Sequence, residues 1–237
     1  MATVRIRPRD ARPVSEGDGV RSRHGLSFGV HYDPERTSFG ALVAHNDDEL
    51  AAGVAYGAHE HRDVEILAWV VDGTMIHTGP AGVDTPAPAG TLQHLVAGTG
   101  WHHDERAAPE TPAHLVQVWV TPGMDDPPPG EPSLSHHRPD LAAGPFVLGL
   151  RRPGVTVTVA RLAAGDAWSP ADGEFRHVHV ARGSVEDASA GDSLEVTGTG
   201  AVDLRAGPDG AELVVVTTQL RTHDGGGASP DAPPPIS

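Results

Sequence analysis

The feature that most constrains the fold is punctuation. Glycine and proline, 29 and 22 of the 237 residues, fall between short runs rich in Val, Ile, Leu and Thr, which is the pattern of many strands joined by turns. Such runs occupy residues 38–44, 64–71, 73–78, 91–96, 114–120, 155–162, 175–181, 193–197 and 213–220. Helical periodicity is scarce, so the expected class is all-β, a sandwich or a barrel.

Proline also divides the chain. Residues 121–139 hold too many prolines for a central strand or a helix, because each removes a donor and fixes φ. The expected organisation is a first β unit over residues 1–122, a Pro-rich connector over 123–152 and a second β unit over 153–221. Residues 222–237 are mostly Gly, Ala, Pro and Asp, have little to bury and are expected to be disordered. An internal repeat supports the two units: Val96-x-Gly98-Thr99-Gly100 recurs as Val196-x-Gly198-Thr199-Gly200.

Charge removes some partners. The formal net charge is −15, which repels phosphate backbones and anionic lipid, so direct binding to nucleic acid or a membrane surface is not expected. With no cysteine, neither a disulfide framework nor a thiolate metal site can form. The N-terminus carries charge without a following apolar segment, and nowhere do eighteen apolar residues run together. A soluble, cytoplasmic protein is expected.

One stretch concentrates chemistry-bearing residues. Between Gly53 and the turn at Asp72-Gly73, a continuous strand would project His59, His61 and Glu65 to one face. Neutral imidazole is a common ligand for first-row transition metals, and two on one strand supply half a site. His103 and Glu105, also two apart, are the best source of the other half. With 15 histidines in the chain, chance pairs are also expected. His177 and His179 form one such pair just before the turn at Gly183, and are read as structural or surface residues.

The same residues resemble a known family. Gly53, His59-x-His61, Glu65 and Gly73 are similar to the first cupin motif, with one extra residue before the last glycine. More specifically, His24-Gly-Leu-Ser-Phe28, His31-Tyr-Asp-Pro34, Asn46-Asp-Asp48, Pro88-Ala-Gly90, Ala97-Gly-Thr-Gly100, His103-x-Glu105 and Leu115-x-Gln-x-Trp119 resemble the pirin family over residues 21–122. That resemblance implies a bicupin, two jelly-roll-like β-barrels facing each other, with a mononuclear metal in the N-terminal one. Its ligands fall on His59, His61, His103 and Glu105. The generic cupin pattern would instead nominate Glu65, with a fourth ligand near Gln93 or His94. Glu65 is therefore kept as an acceptor that orients a ligand. Trp101 and His102 depart from the family's usual residues and could narrow or polarise the pocket. In the second half, Asp203 and Arg205 stand where His103 and Glu105 would be, so no metal is expected there.

Three imidazoles and a carboxylate leave a six-coordinate ion two open positions, as catalysis requires. Such donors suit iron, nickel, manganese, cobalt or zinc alike, and the resemblance implies Fe(II) first, with Ni, Mn, Co or Zn as alternatives. The resemblance implies a quercetin (flavonol) 2,3-dioxygenase-like oxidoreductase, acting on an enolic or phenolic substrate with O2, with Glu105 as the base. The alternative it implies is a non-catalytic, redox-sensing metal protein that regulates through a protein partner. A metal-free β protein whose histidines are solvated is the third reading.

Overall fold

The computed structural model describes residues 1–123, 126 and 130–219. The all-β expectation holds: among the described residues every regular element is a strand except one short 3-10 turn, Arg9–Ala11. The expected tail at 222–237 lies outside the described residues.

Three sheets organise the chain. The central one has seven strands, in the order Ser133–His137, Leu92–Val96, Glu65–Asp72, Ala113–Val120, Leu42–Leu50, Val20–His24 and Val14–Gly17. A four-stranded sheet lies against one face of it: His59–His61, Trp101–Ala107, Thr74–Thr78 and Asp84–Pro88. An eight-stranded sheet lies against the other face. Its main path runs Thr3–Arg7, Ser193–Thr197, Phe175–Val185, Leu204–Thr218, Val155–Leu162 and Phe146–Gly149.

Because strand side chains alternate, each central strand serves two cores. On Glu65–Asp72, Leu67, Trp69 and Val71 pack with Val155, Val157, Val159, Val214 and Val216 of the eight-stranded sheet. Ala68 and Val70, on the opposite face, pack with Met75, Ala87 and Ala107 of the four-stranded sheet. Leu213 and Val215 then turn inward to a core within the second unit, with Val178, Val180 and Leu194. The junction between sheets also carries a polar tie: the Trp69 indole donates to Glu212 Oε1 at 2.7 Å, while Arg161 grips Oε2 at 2.7 Å.

The Gly-Thr-Gly repeat marks equivalent places. Strands Leu92–Val96 and Ser193–Thr197 end just before it, and both glycines of each copy have positive φ: 52° and 149° at Gly98 and Gly100, 82° and 120° at Gly198 and Gly200. A side chain at Gly98 would also strike the Gly130 carbonyl, 2.1 Å from a Cβ there.

Several expectations need correction. The stretch read as one strand from Gly53 to Gly73 breaks at Asp63, whose φ is 52° and whose N–H is held by the Gly98 carbonyl. That left-handed residue separates His59–His61 from Glu65–Asp72, so period-2 parity no longer places Glu65 beside the histidines. The run expected at 38–44 forms a strand only from Leu42, and it continues to Leu50 through His45-Asn46-Asp47-Asp48-Glu49. Two segments cross the expected division of the chain. Thr3–Arg7 pairs with Ser193–Thr197 in the second sheet, and Ser133–His137 forms the edge of the first. His177 and His179 are buried, with their rings 4.4 and 4.8 Å from His45.

Replacing Trp69 by Phe keeps most of the ring's packing and removes the indole donor from buried Glu212. Urea denaturation should show a loss of about 1–2 kcal/mol, the cost of a buried acceptor that loses one partner.

Candidate metal centre

The four-stranded sheet assembles the site. Strand Trp101–Ala107 pairs antiparallel with His59–His61, and His103 stands opposite His59. Farther along, the same strand pairs with Thr74–Thr78, which sets Glu105 opposite His77. The ligand atoms of His59, His61 and His103 lie within 4.8 Å of one another, as do those of His77, His103 and Glu105. The four residues selected in the sequence thus fall in two overlapping groups joined through His103, and His77 is an addition.

Hydrogen bonds preset the donors. The Gly57 carbonyl accepts from His59 Nδ1 at 2.7 Å, which leaves the Nε2 lone pair facing His103 Nε2, 3.1 Å away. Trp101 donates its indole N–H to His77 Nε2 at 3.1 Å, so the His77 proton sits on Nδ1, 3.3 Å from Glu105 Oε1. Gln93 Nε2 donates to the same oxygen. The Trp101 departure from the family pattern therefore has a use: it fixes the tautomer of the histidine that holds Glu105. His102 pairs with Glu60 on the outer face and is exposed.

The central sheet supplies the back wall. Its register aligns His136, Gln93, Ala68, Gln117, Asn46 and His24 in one row across five adjoining strand pairs. The row is polar except at Ala68 and hydrogen-bonds largely within itself and to the site: His136 Nε2 meets Gln93 Oε1 at 3.0 Å, and His24 Nδ1 meets Asn46 Oδ1 at 2.8 Å. Above it opens a cavity of about 480 Å3 lined by, among others, His59, His61, Glu105, Phe28, Ile66 and Trp119. The Trp119 ring stands edge-on to His61, with centroids 4.9 Å apart. A chain of donors rims this cavity: Trp119 to Gln117 at 3.2 Å, Gln117 to Tyr56 at 3.5 Å, and Tyr56 to Asp48 at 2.8 Å.

The protonation states suit metal binding. Burial, with a smaller contribution from the neighbouring His59, pushes His61 down to about 4. Burial likewise lowers His103 to about 4, against the attraction of Glu105. Burial alone would raise Glu105, but the hydrogen bond from His77, the His103 charge and the Gln93 bond together hold it below its usual range. At neutral pH His61 and His103 are therefore neutral and Glu105 is ionised, the forms that ligate. Oxygen and nitrogen donors without sulfur fit a divalent transition metal.

Glu65, the generic-cupin alternative, is engaged elsewhere. Its Oε2 meets His94 Nε2 at 2.8 Å and its Oε1 accepts the Arg151 backbone N–H at 2.8 Å. The break at Asp63 is the reason, and neither Glu65 nor His94 joins the two ligand groups. Gln93, named with the same pattern, reaches the site as the donor to Glu105. His77 was not singled out in the sequence. The available signal was the alternation of buried Met75 and His77 on Thr74–Thr78.

Fold and site together define a cupin protein with a histidine-rich centre in its first barrel. The pirin family matches residues 6–120. Quercetin 2,3-dioxygenase of Escherichia coli K12 is 38% identical over 120 residues, 50% of this chain and 52% of that protein. A Mycobacterium tuberculosis protein provisionally named for the same activity is 42% identical over 122 residues, 51% of this chain and 50% of its own. The chain thus matches about half the length of these curated relatives. Over the whole fold it superimposes on the bacterial pirin YhhW of E. coli, solved in complex with nickel(II), with a TM-score of 0.82 and 26% identity, covering 92% of this chain and all of that one. Residues 6–120 thus match the pirin family, and the chain as a whole shares the fold of a bacterial pirin.

Asp48 offers a test of how dry the cavity wall is. Burial raises its carboxyl to about 6, against hydrogen bonds from Ser22 and Tyr56 that favour the ionised form. A folded-state value above the ordinary 3.8 means that the folded chain holds the proton more tightly. Stability from this group is therefore present below pH 4 and is lost as pH rises toward 6. In chelator-treated protein, Asp48→Asn should remove up to about 3 kcal/mol of that loss, read as the change in its stability relative to wild type between pH 4 and 7.

Proposed function

We propose that this chain is a metal-dependent dioxygenase that takes O2 and an enolic or phenolic small molecule of the flavonol type. The observation that carries this reading is the pair of donor groups that share His103, with His59 and His61 on one side and Glu105 and His77 on the other, while His59, His61 and Glu105 line the 480 Å3 cavity. The E. coli relative named quercetin 2,3-dioxygenase supports the substrate class. The nickel(II) complex of a bacterial pirin supports a divalent transition metal. Fe(II) heads the list, with Ni, Mn, Co and Zn compatible with the same donors.

His59, His61 and His103 would hold the ion through imidazole nitrogens, and Glu105 through its carboxylate. When bound, the metal supplies a Lewis acid that offsets negative charge on substrate and oxygen and brings the two together. The remaining work falls to the chain. Glu105, held ionised by His77 and Gln93, accepts the proton of the substrate hydroxyl. Phe28, Ile66 and Trp119 form an apolar wall against which a flat aromatic body can lie. Tyr56, donating to Asp48 and receiving from Gln117, marks the polar end of that wall.

Oxygen uptake with quercetin, measured on metal-loaded protein alongside its metal content, tests this assignment. The parent should consume O2, and Glu105→Gln should fall by roughly a hundredfold or more, the range for loss of a general base. Full turnover in Glu105→Gln with metal retained would remove the base from Glu105. A loaded parent that takes up no O2 with any flavonol would favour a metal-bearing regulator that acts through a protein partner.

A further inference from the structure

A second cavity, of about 570 Å3, lies between the N-terminal arm and the eight-stranded sheet. The arm from Ile6 to Pro13, the loop that follows Val20–His24, and His177, Ser193 and Glu195 enclose it. Only His24 and Val30 line both this cavity and the one above the metal donors.

Its charges do not balance. Three arginines, Arg7, Arg12 and Arg36, line it with one buried carboxylate, Glu195. Glu195 is held in two ion pairs, with Arg7 Nε 2.8 Å from its Oε2 and Arg36 Nη2 2.7 Å from its Oε1, although Oε1 takes no hydrogen bond of good geometry among the described residues. Asp33, the other acid in the lining, is exposed, and its Oδ1 accepts the Glu35 N–H. Arg12 is buried, yet among the described residues its guanidinium makes one hydrogen bond, from Nη2 to the Ser193 hydroxyl at 2.5 Å, and Nε and Nη1 have no partner.

The carboxylates nearest Arg12 are occupied elsewhere. Asp47 accepts from His114 at 2.6 Å, and Asp192 accepts the backbone N–H groups of Arg9 and Ser189 at 2.7 and 2.9 Å. His45 and His177 interact electrostatically with Arg12, and among the described residues His177 Nδ1 and both nitrogens of His45 are buried without a hydrogen-bond partner. A buried guanidinium lacking a hydrogen-bonded anion is costly, and the cost persists in a chain with a net charge of −15. Burial accordingly lowers the Arg12 guanidinium to about 10. The mouth is of a different character, lined by the apolar side chains of Ile6, Val30 and Tyr32, all open to solvent.

We propose that this cavity binds a small carboxylic acid with an aromatic or aliphatic body, its carboxylate drawn to Arg12 and its apolar part lying against Ile6, Val30 and Tyr32. The size suits such a ligand, and the arrangement of a few convergent polar groups beside apolar walls is typical of small-molecule sites. The carboxylate supplies the hydrogen-bonded anion that Arg12 lacks among the described residues, and charge-assisted hydrogen bonds of this kind are the strong ones.

Calorimetric titration with benzoate and with its neutral isostere benzamide, at constant ionic strength, tests the proposal. Chelator-treated protein is used, so that a metal cannot be the receptor. Benzoate should bind once per chain and benzamide at least tenfold more weakly. Arg12→Gln should raise the benzoate Kd roughly tenfold or more, the loss expected with a charge-assisted hydrogen bond. Ile6→Trp, which fills the mouth and leaves Arg12 intact, should weaken benzoate similarly. That second variant keeps the test decisive if Arg12→Gln does not fold. Absence of benzoate binding, equal binding of the two probes, or wild-type affinity in Ile6→Trp would overturn the proposal.

Discussion

The middle strands of the seven-stranded sheet are buried on both faces, and everything else depends on that. One face must meet a second sheet of its own barrel and the other a sheet of the neighbouring unit, so alternate residues along these middle strands answer to different cores. On Leu42–Leu50 the consequence is visible residue by residue. Asn46 and Asp48 turn toward the candidate metal centre, while His45 and Asp47 turn toward His177 and His179 across the junction. Trp69, reaching Glu212 from the same junction face, ties the two sheets while Ala68 beside it backs the site.

The division of labour explains why polar residues are tolerated so deep in the molecule. Buried polar groups persist where partners satisfy them. Along the row from His136 to His24, the cross-strand register itself supplies many of the partners. The same row, through Gln93, steadies Glu105 from behind while His77 steadies it from the side. Donors positioned by groups that are themselves held in place are what a metal centre needs to keep one geometry. The loop carrying Phe28 and Val30 then separates two cavities of opposite character, one above an imidazole cluster and one beside unpaired guanidinium.

Much of this was legible in the sequence, and what was not has a physical reason. The His59/His61 and His103/Glu105 pairs could be read because two-residue spacing on a strand is a direct statement about one face. The extension of that parity to Glu65 failed at Asp63, since aspartate entering the left-handed region leaves no trace in a hydrophobic pattern. The strand through residues 45–49 was hidden because its residues are polar on both faces, and burial by pairing does not look like burial by apolarity. His77 and Gln93 owe their roles to register between strands distant in sequence, which spacing within one strand cannot report. The pairing of Thr3–Arg7 with the second sheet was hidden for the same reason.

The central claim is that one ion is held by the two histidine-bearing strands of the four-stranded sheet, and not by the carboxylate at the start of the central strand. Elemental analysis of the purified parent beside His59→Ala, His103→Ala and Glu65→Ala reads this directly. The account predicts one divalent metal per chain in the parent, loss of it in both histidine variants and retention in Glu65→Ala. Metal kept without His103, or lost without Glu65, would contradict it.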